Sequence, residues 1–241
     1  MAGRYTARFA DSAADIKSAQ ALRNKTFRGE GGSSDADAYD AICRHILVEE
    51  NDTNQLVCTF RLLPLANGLQ IDKSYSAQFY DLESLHTIEG MIVEMGRFCI
   101  DPAFKDPNIL RVAWSAMSAY VDDNDVELLF GCSSFSGTNS EEYTDAFALL
   151  KERHLAPKRW LPKIKAPKVF RFASTPELFP PNVKSAQKHM PPLLRTYLLM
   201  GGWVSDHAVV DNDLNTLHVF TGMEIGGIPA NRKRLLRATA G

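Results

Sequence analysis

The sequence places a carboxylate and a guanidinium three residues apart in one hydrophobic segment, Glu94-Met95-Gly96-Arg97. A positioned carboxylate can take a proton from an amine or a water molecule, so Glu94 is the candidate general base. In a regular strand Glu94 and Gly96 point to one face and Arg97 to the other, so Glu94 meets Arg97 only if the strand bulges at Gly96. The alternative is that both charges pair with other residues at the edge of a sheet.

Charged residues upstream have the types needed to hold a polar acceptor molecule: Arg23, Asp37, Asp40 and Arg61. Acidic side chains suit a cationic group on that molecule, and an arginine suits a free carboxylate through a bidentate contact. Asp37 and Asp40 belong to an acidic loop that also contains Asp35. The alternative is that these aspartates cap turns and are solvated.

Other types of site are disfavoured by the rest of the sequence. It has no P-loop and no Gly-x-Gly-x-x-Gly after a strand, and its six histidines lack clustered spacing, so no metal site is expected. A net charge of −2 gives no global cationic field for nucleic acid. The four cysteines lack paired spacing, which indicates reduced thiols, and Cys132 is interpreted as a buried cysteine in preference to a nucleophile. No apolar run of about 18 residues and no signal-peptide core are found, so a cytoplasmic protein is expected.

The spacing of apolar residues predicts the elements that position these side chains. Strands are predicted at residues 4–10, 45–50, 55–65, 93–100, 126–130, 168–172, 208–210 and 217–220. Helices are predicted at about 12–27, 108–121, 141–153 and 193–200. Ser12 and Asp15 form a capping-box-like start for the first helix, and Gly201-Gly202 closes the last one.

Two connections bear on the topology. The Asn-Asp-Thr-Asn turn between the second and third strands predicts a hairpin, and the helix after residues 93–100 predicts a parallel crossover to the next strand. Residues 66–90 are predicted to form a long surface excursion. The alternation of strands and helices predicts one α/β domain with a mixed sheet over residues 1–230, followed by a basic, mobile tail at 231–241.

A resemblance to a known family rests on the order and spacing of several segments between about residues 4 and 220. They are Leu22-Arg23 with Phe27, Asp37-Ala38-Tyr39-Asp40, Cys43-Arg44-His45-Ile46-Leu47-Val48, Phe60-Arg61-Leu62-Leu63-Pro64, Glu94-Met95-Gly96-Arg97-Phe98-Cys99-Ile100, Leu128-Leu129-Phe130-Gly131-Cys132-Ser133-Ser134-Phe135 and Pro191-Pro192-Leu193-Leu194-Arg195-Thr196-Tyr197-Leu198. Together they resemble the autoinducer-synthase and ornithine-lipid acyltransferase branch of the GNAT-like fold. The last two segments favour the ornithine-lipid enzymes.

The resemblance implies a GNAT-like (acyl-CoA N-acyltransferase-like) α/β fold, with a mixed central sheet flanked by helices. It also implies transfer of a 3-hydroxyacyl group from acyl carrier protein to the α-amino group of an amino acid, ornithine or glutamine, to make a lyso-aminolipid. The donor is then the phosphopantetheine thioester of the carrier, and no other cofactor is expected. Because thioester aminolysis needs a base for the amine, Glu94 takes that role.

The site residues carried over lie on both sides of Glu94. The substrate-binding set is Arg23, Phe27, Asp37, Asp40, Arg61, Arg97, Ser133, Ser134 and Phe135. Gly96 and Gly131 would let the pantetheine arm approach the backbone between two splayed strands, with a turn or packing glycine as the alternative for Gly131. Phe27 has the core as its alternative, and Arg97 is treated as a structural or carrier-binding residue.

Two observations favour a carrier protein over coenzyme A as the donor. Acetyl-CoA enzymes of this fold hold pyrophosphate on a glycine-rich loop, whereas residues 101–108 contain prolines and no glycine. Residues 151–171 hold eight Lys or Arg against one acid, which could dock an acidic carrier or contact an anionic membrane. The candidate docking residues are Lys158, Arg159, Lys163 and Lys165. The alternative is an ordinary solvated basic face.

Two other functions stay open from the sequence. An acyl-homoserine lactone synthase would use S-adenosylmethionine and is suggested by the arginine, aspartate and glutamate pattern. A non-catalytic acyl-chain or carrier-protein binding module would keep the fold without turnover. A peripheral position at the inner membrane face is a further expectation, because the product would be an amphiphile.

Overall fold

A computed structural model describes residues 3–29, 34–175 and 180–229. The described residues divide into two compact units, the first formed by residues 3–29, 34–64 and 93–126 and the second by 65–92, 127–175 and 180–229. The prediction of a single domain over residues 1–230 stays a prediction, and the predicted basic tail lies outside the described residues. The part of the chain that is described contains no helix with the length and apolar character needed to cross a membrane.

The strands and α-helices of the described residues follow in chain order. They are β1 (Tyr5–Phe9), α1 (Ala13–Phe27), β2 (Arg44–Glu50), β3 (Leu56–Leu65), β4 (Tyr80–Asp81), β5 (Ile92–Ile100), α2 (Pro107–Asp123), β6 (Leu128–Ser136), α3 (Thr144–Arg153), β7 (Lys163–Ile164), β8 (Val169–Phe170), α4 (Val183–His189), α5 (Pro192–Leu199), β9 (Trp203–Val204), β10 (Ala208–Asp211) and β11 (Thr216–Glu224).

The first unit is a sheet with the strand order β1-β2-β3-β5, in which β1–β2 and β2–β3 are antiparallel. The predicted hairpin of β2 and β3 is confirmed, with His45 opposite Arg61. The predicted start of α1 is also confirmed, because the Ser12 hydroxyl accepts a hydrogen bond from the Asp15 backbone N–H at 3.1 Å. Helix α2 packs against β1 and β2.

The main sheet of the second unit has the strand order β6-β11-β10-β8, with every neighbouring pair antiparallel and β9 also paired to β11. Strand β6 is longer than predicted, since it continues to Ser136 along its partner β11. The extension was not predicted because residues 133, 134 and 136 are polar and interrupt the apolar run. Pairing with β11 satisfies their backbone groups, so the strand does not need an apolar sequence there. Helix α4 was not predicted.

The prediction that residues 66–90 form a surface excursion is wrong. The segment contains short 3₁₀ turns and strand β4, which pairs with β7. Ile71, Leu85 and the Tyr80 ring are fully buried. The Tyr80 hydroxyl donates to the His218 carbonyl at 2.8 Å, and burial raises the Tyr80 pKa well above its usual value and lowers the His218 pKa to about 4. The buried side chains of this segment are irregularly spaced, so the sequence has no hydrophobic period that would predict their burial.

Gly222 of β11 is closely packed in the second unit, because an added Cβ would overlap the ring of Trp203. We therefore expect Gly222→Ala to lower the free energy of unfolding by about 1–3 kcal/mol, measured by urea denaturation. The control is Gly226→Ala, because no atom lies within 4 Å of a Cβ added at Gly226. Equal urea midpoints for the two variants would contradict this packing.

Candidate active site

A cluster of arginines and aspartates lies in the first unit, where the acidic loop meets helix α1 and strands β3 and β5. We call it the charge cluster, and it consists of Arg23, Arg28, Asp35, Asp37, Asp40, Arg61 and Arg97. Its members are far apart in sequence, so only the folded sheet assembles them. Five of the predicted substrate-binding residues lie in this cluster, and Asp35, which was not among them, lies there too: the five are Arg23, Asp37, Asp40, Arg61 and Arg97.

Arg23 projects from α1 and its side chain is only 1% exposed. Its Nε donates to Asp35 Oδ2 at 2.8 Å, and its Nη1 donates to Asp40 Oδ1 at 2.6 Å. A further Nη2 hydrogen bond reaches the Asp35 carbonyl. A buried guanidinium is tolerated only when its donors are used in this way, so Arg23 holds the acidic loop against the helix.

Arg61 projects from β3 and binds the same loop. Its two Nη atoms contact the two carboxylate oxygens of Asp37 at 2.6 and 2.8 Å, which is a bidentate pair. Nη1 also donates to Asp40 Oδ1 at 2.7 Å, and the guanidinium lies 5.4 Å from the centre of the Tyr39 ring. Asp40 is therefore shared by two arginines, Arg23 and Arg61.

Asp37 and Asp40 also form hydrogen bonds to the backbone of the acidic loop. Asp37 caps the short 3₁₀ turn Ala38–Ala41, and its carboxylate accepts from the Tyr39 N–H at 2.9 Å. Asp40 completes a capping box by accepting from the Asp37 N–H at 3.3 Å. The turn-capping alternative for the two aspartates is therefore correct, and the same carboxylates also bind arginines.

Arg97 is the irregular residue of β5. Its φ is +54°, in the left-handed region that costs a non-glycine residue about 1–2 kcal/mol. The irregularity falls one residue after Gly96, where the sequence analysis placed a bulge. Arg97 Nη2 contacts Asp37 Oδ2 at 3.2 Å and its Nε lies 3.5 Å from Asp35 Oδ2. These ion pairs offset the backbone strain and give Arg97 a structural role.

Glu94, the candidate base, lies in β5 and is only 5% exposed. The charges of Glu94 and Arg61 both affect the pKa of the Cys43 thiol, which lies just before β2. Burial raises the Cys43 pKa to about 12, with Arg61 opposing the rise and Glu94 adding to it. A Cβ added at Gly96 would lie 3.9 Å from Arg61 Nε, so Gly96 lies beside Arg61, and the charges of Arg61 and Glu94 both act on Cys43.

The electrostatics of the charge cluster are balanced. Four guanidinium groups face four carboxylates when Glu94 is counted with the three aspartates. Burial alone would raise the Asp40 pKa, but hydrogen bonds from Arg23 and Gln20 hold it well below its usual range. Burial also raises the Asp37 pKa, but hydrogen bonds and the charge of Arg61 lower it, and the net pKa of Asp37 is lowered. Asp37 and Asp40 therefore keep their charges at neutral pH.

His45 supports the cluster from β2 and was missed by the sequence analysis. Its side chain is buried, and its Nε2 lies 3.1 Å from the Asp40 carbonyl oxygen. Burial lowers the His45 pKa, which favours the neutral ring. Neither His45 nor Cys43 has a sequence signal of its own, although both lie in the segment that carried the family resemblance.

The start of α2 is occupied by acidic side chains of the chain itself. The Asp106 carboxylate accepts from the Asn108 N–H at 2.9 Å and caps the helix, with Pro107 at the first position. The buried Asp101 carboxylate accepts from the Ala103 N–H at 3.0 Å and pairs with Lys25 at 2.8 Å. A pyrophosphate at this helix start would have to displace a carboxylate, and the loop offers few free backbone donors.

The remaining predicted substrate-binding residues lie elsewhere. Phe27 is half-buried at the end of α1. In the second unit, Ser133 is buried and accepts a hydrogen bond from Thr221 at 2.9 Å, whereas Ser134 is exposed. Phe135 packs in the core against Phe147, with the ring centres 4.9 Å apart. Gly131 lies in β6 opposite Thr221. The substrate and pantetheine roles of these residues stay predictions.

The predicted docking residues are exposed, but most of them contact other residues of the second unit. Arg159 lies 3.5 Å from a glutamate and stacks over Trp160 at 4.2 Å. Lys163 lies within 4 Å of two acidic residues, and Lys165 donates to a backbone carbonyl at 2.6 Å. Lys158 is exposed. The basic surface is thus less cationic than the composition of 151–171 indicates. Over the described residues, no three His, Cys, Asp or Glu are placed to hold a metal ion.

Comparisons with known proteins agree with this fold. A family model for the acetyltransferase (GNAT) domain matches residues 22–115, the range that contains the charge cluster and Glu94. L-ornithine N(alpha)-acyltransferase of Rhizobium meliloti is 32% identical over 97% of this chain and 84% of its own length. The enzyme of the same name from Rhodobacter capsulatus is 29% identical over 91% and 90%.

Solved structures agree on the fold alone, at 12% identity. The N-acyl amino acid synthase FeeM from uncultured soil microbes covers 98% of this chain and 97% of its own, with a TM-score of 0.53. The CoA-dependent acyl-homoserine lactone synthase BjaI covers 99% and 89%, with a TM-score of 0.52. The predicted GNAT-like α/β fold class is confirmed.

Fold, site and relatives together define an N-acyltransferase of the GNAT type that acts on an amino acid. At 32% identity over nearly its whole length, the chain belongs to the family of the L-ornithine N(alpha)-acyltransferases. The predicted family and the predicted enzyme class are therefore confirmed.

The shared carboxylate of Asp40 gives a direct test of the charge cluster. We expect Asp40→Asn to lower the free energy of unfolding by about 3 kcal/mol, because it leaves two buried arginines short of a counter-charge. Urea denaturation at neutral pH measures the loss. The control is Asp52→Asn, at an exposed turn position.

The pH dependence of the same variant adds a second readout. The Asp40 pKa is lowered in the folded state, so its stabilisation is present above the ordinary carboxyl pKa of about 4 and is lost as the pH falls below it. The acid loss of stability should therefore be shallower in Asp40→Asn than in the wild type. Parallel curves would contradict a stabilising role for this carboxylate.

Proposed function

We propose that this enzyme transfers a 3-hydroxyacyl group from acyl carrier protein to the α-amino group of ornithine, giving a lyso-ornithine lipid. The observation that carries the proposal is the buried Glu94 beside the charge cluster. It supplies a base within a region of fixed charges. The relatives named L-ornithine N(alpha)-acyltransferase support ornithine as the acceptor, and glutamine is the alternative.

The reaction needs one proton removed and one returned. The neutral α-amine attacks the thioester carbonyl, the new C–N bond forms, and the carrier thiolate leaves as the C–S bond breaks. Glu94 takes the proton that the amine loses, directly or through one water molecule. The proton then passes to the thiolate, so no oxidant, metal or further co-substrate is needed. Direct transfer is favoured because no nucleophile–base pair was found in the sequence.

The acceptor would approach the charge cluster at Asp37 and Arg97, which are more exposed than Arg23 and Asp35. The Asp37 side chain is 24% exposed and Arg97 is 11% exposed, whereas Arg23 and Asp35 are 1% exposed. We assign Asp37 to the cationic side chain of ornithine and Arg97 to its α-carboxylate. Arg23 and Arg61 then act as positioning residues, since their donors already bind the loop.

The capped start of α2 supports a carrier-bound donor. Coenzyme A brings a pyrophosphate that the fold would normally hold at a helix N-terminus, and Asp101 and Asp106 occupy that region with negative charge. A carrier protein presents its pantetheine through a protein surface and does not need that site. The exposed Lys158 and its basic neighbours would meet the acidic carrier, and peripheral contact with an anionic membrane stays part of the proposal.

Substitution of the proposed base gives a prediction about the chemical step. We expect Glu94→Gln to lower kcat about a hundredfold or more, with little change in the acceptor KM. The residual rate should rise with pH, because a larger fraction of the amine is then unprotonated. The control is Glu89→Gln, at an exposed position. A wild-type kcat in Glu94→Gln would exclude the role of Glu94 as base.

The donor and the acceptor are tested in one assay. Purified chain is mixed with 3-hydroxyacyl carrier protein or 3-hydroxyacyl coenzyme A, and with ornithine, glutamine or S-adenosylmethionine. Products are identified by mass spectrometry. We expect acyl-ornithine from the carrier-bound donor and a much lower kcat/KM with coenzyme A. An acyl-glutamine product would show that glutamine is the acceptor, and a lactone product would show that S-adenosylmethionine is. Carrier binding without any product would indicate a non-catalytic binding module.

A further inference from the structure

A cavity of about 290 Å³ lies in the first unit between helix α2 and strands β1 and β2. Small and apolar side chains form much of its lining, among them Ala7, Ile46, Ala116 and Ala119. The rings of Phe9 and Tyr120 add aromatic walls, 5.9 Å apart between centres and packed edge to face. Its volume is near the lower end of the range for small-molecule pockets, which suits a single small metabolite.

The cavity lies on the face of the sheet opposite the charge cluster. Neighbouring residues of a strand point to opposite faces. His45 faces Arg61 and the acidic loop, so the residues before and after it, Arg44 and Ile46, point the other way, into the cavity. The cavity is therefore separate from the region of Glu94 and Arg61.

Arg44 brings an uncompensated positive charge to the cavity. Its guanidinium lies 4.1 Å from the centre of the Phe9 ring and 5.6 Å from the centre of the Tyr120 ring. Within the described residues it makes no ion pair or hydrogen bond. Arg8, which also lines the cavity, is fully engaged by Asp15 and Glu49. Stacking on rings fixes the plane of Arg44 and leaves its N–H edge able to receive a carboxylate.

Negative charge also lines the cavity. Helix α2 ends at Asp123, and its last turn has no lysine or arginine, although a helix C-terminus already carries partial negative charge and normally favours cations. Asp123 lines the cavity and has no ion pair or hydrogen bond in the described part of the chain. A bound cation would therefore be favourable beside Asp123.

We propose that this cavity binds the zwitterion of a free α-amino acid. The α-carboxylate pairs with Arg44, and the α-ammonium lies against Asp123 and the C-terminal end of α2. A simple anion would meet Asp123, a simple cation would meet Arg44, and a neutral ligand would leave both charges unpaired. Only a ligand with both charges close together can pair with both Arg44 and Asp123. The site is distinct from the acceptor site and does not depend on the identity of the acyl acceptor.

The position of Arg44 connects this site to the charge cluster through one strand. Cys43 and His45, its immediate neighbours, both contact the region of Asp40 and Glu94. An amino acid bound at Arg44 would therefore be next to the elements that hold the acidic loop.

The test is calorimetric titration of the full chain with glycine, in the absence of any acyl donor. Glycine is the smallest zwitterion of this class, and acetate and methylammonium each retain one of its charges. We expect glycine to bind, and its affinity to fall about tenfold or more in Arg44→Gln and in Asp123→Asn. Both residues are exposed, so the variants should keep the wild-type thermal midpoint.

Two controls make the result specific. Arg111→Gln removes an exposed arginine of α2 outside the cavity and should leave glycine binding unchanged. Glu94→Gln should also leave it unchanged, which separates this site from the acceptor site even if the proposed transfer reaction fails. No glycine binding, equal binding in all variants, or acetate binding as tight as that of glycine with no effect of Asp123→Asn would each overturn the proposal.

Discussion

The carboxylate of Asp40 accepts hydrogen bonds from two buried arginines, Arg23 and Arg61, and the site of the first unit depends on that shared contact. A buried charge left without a partner costs several kcal/mol, so a helix, a loop and a hairpin strand must reach their native positions together. Asp37 and Asp35 extend the same arrangement to Arg97, whose left-handed backbone is held in place by their charges. The cluster therefore fixes the shape of β5 next to Glu94.

This arrangement also explains how a balanced set of charges can serve a reaction that needs only one base. The arginines and aspartates neutralise each other and are held by several hydrogen bonds, so in the proposed reaction Glu94 would act within a field of fixed charges. Fixed charges of this kind are more effective where water is excluded, and the members nearest Glu94 are mostly buried. Asp37 and Arg97 are the partly exposed members of the cluster to which the proposed function assigns the amino acid.

Negative charge at the ends of α2 has two different consequences. At the start, Asp106 caps the helix in the favourable sense and fills the place where a pyrophosphate would bind. At the end, Asp123 opposes the helix dipole and lines the same cavity as Arg44. The first arrangement is stabilising by itself, whereas the second would be stabilised by a ligand that brings positive charge, as proposed above. Local violations of the usual charge preference are often found at binding sites.

The sequence by itself determined the features that depend on neighbouring residues. The Ser12 cap, the β2–β3 hairpin and most helices follow from local patterns, and the ordered motifs indicated the family. The partners of each charge were decided only by the tertiary structure. Arg23 and Asp40 are 17 residues apart, and Arg97 and Asp37 are 60 apart, so no periodicity reports their contact. The positive φ of Arg97 is likewise decided by tertiary structure, because the aspartates that hold its side chain, Asp35 and Asp37, lie about 60 residues away in the sequence.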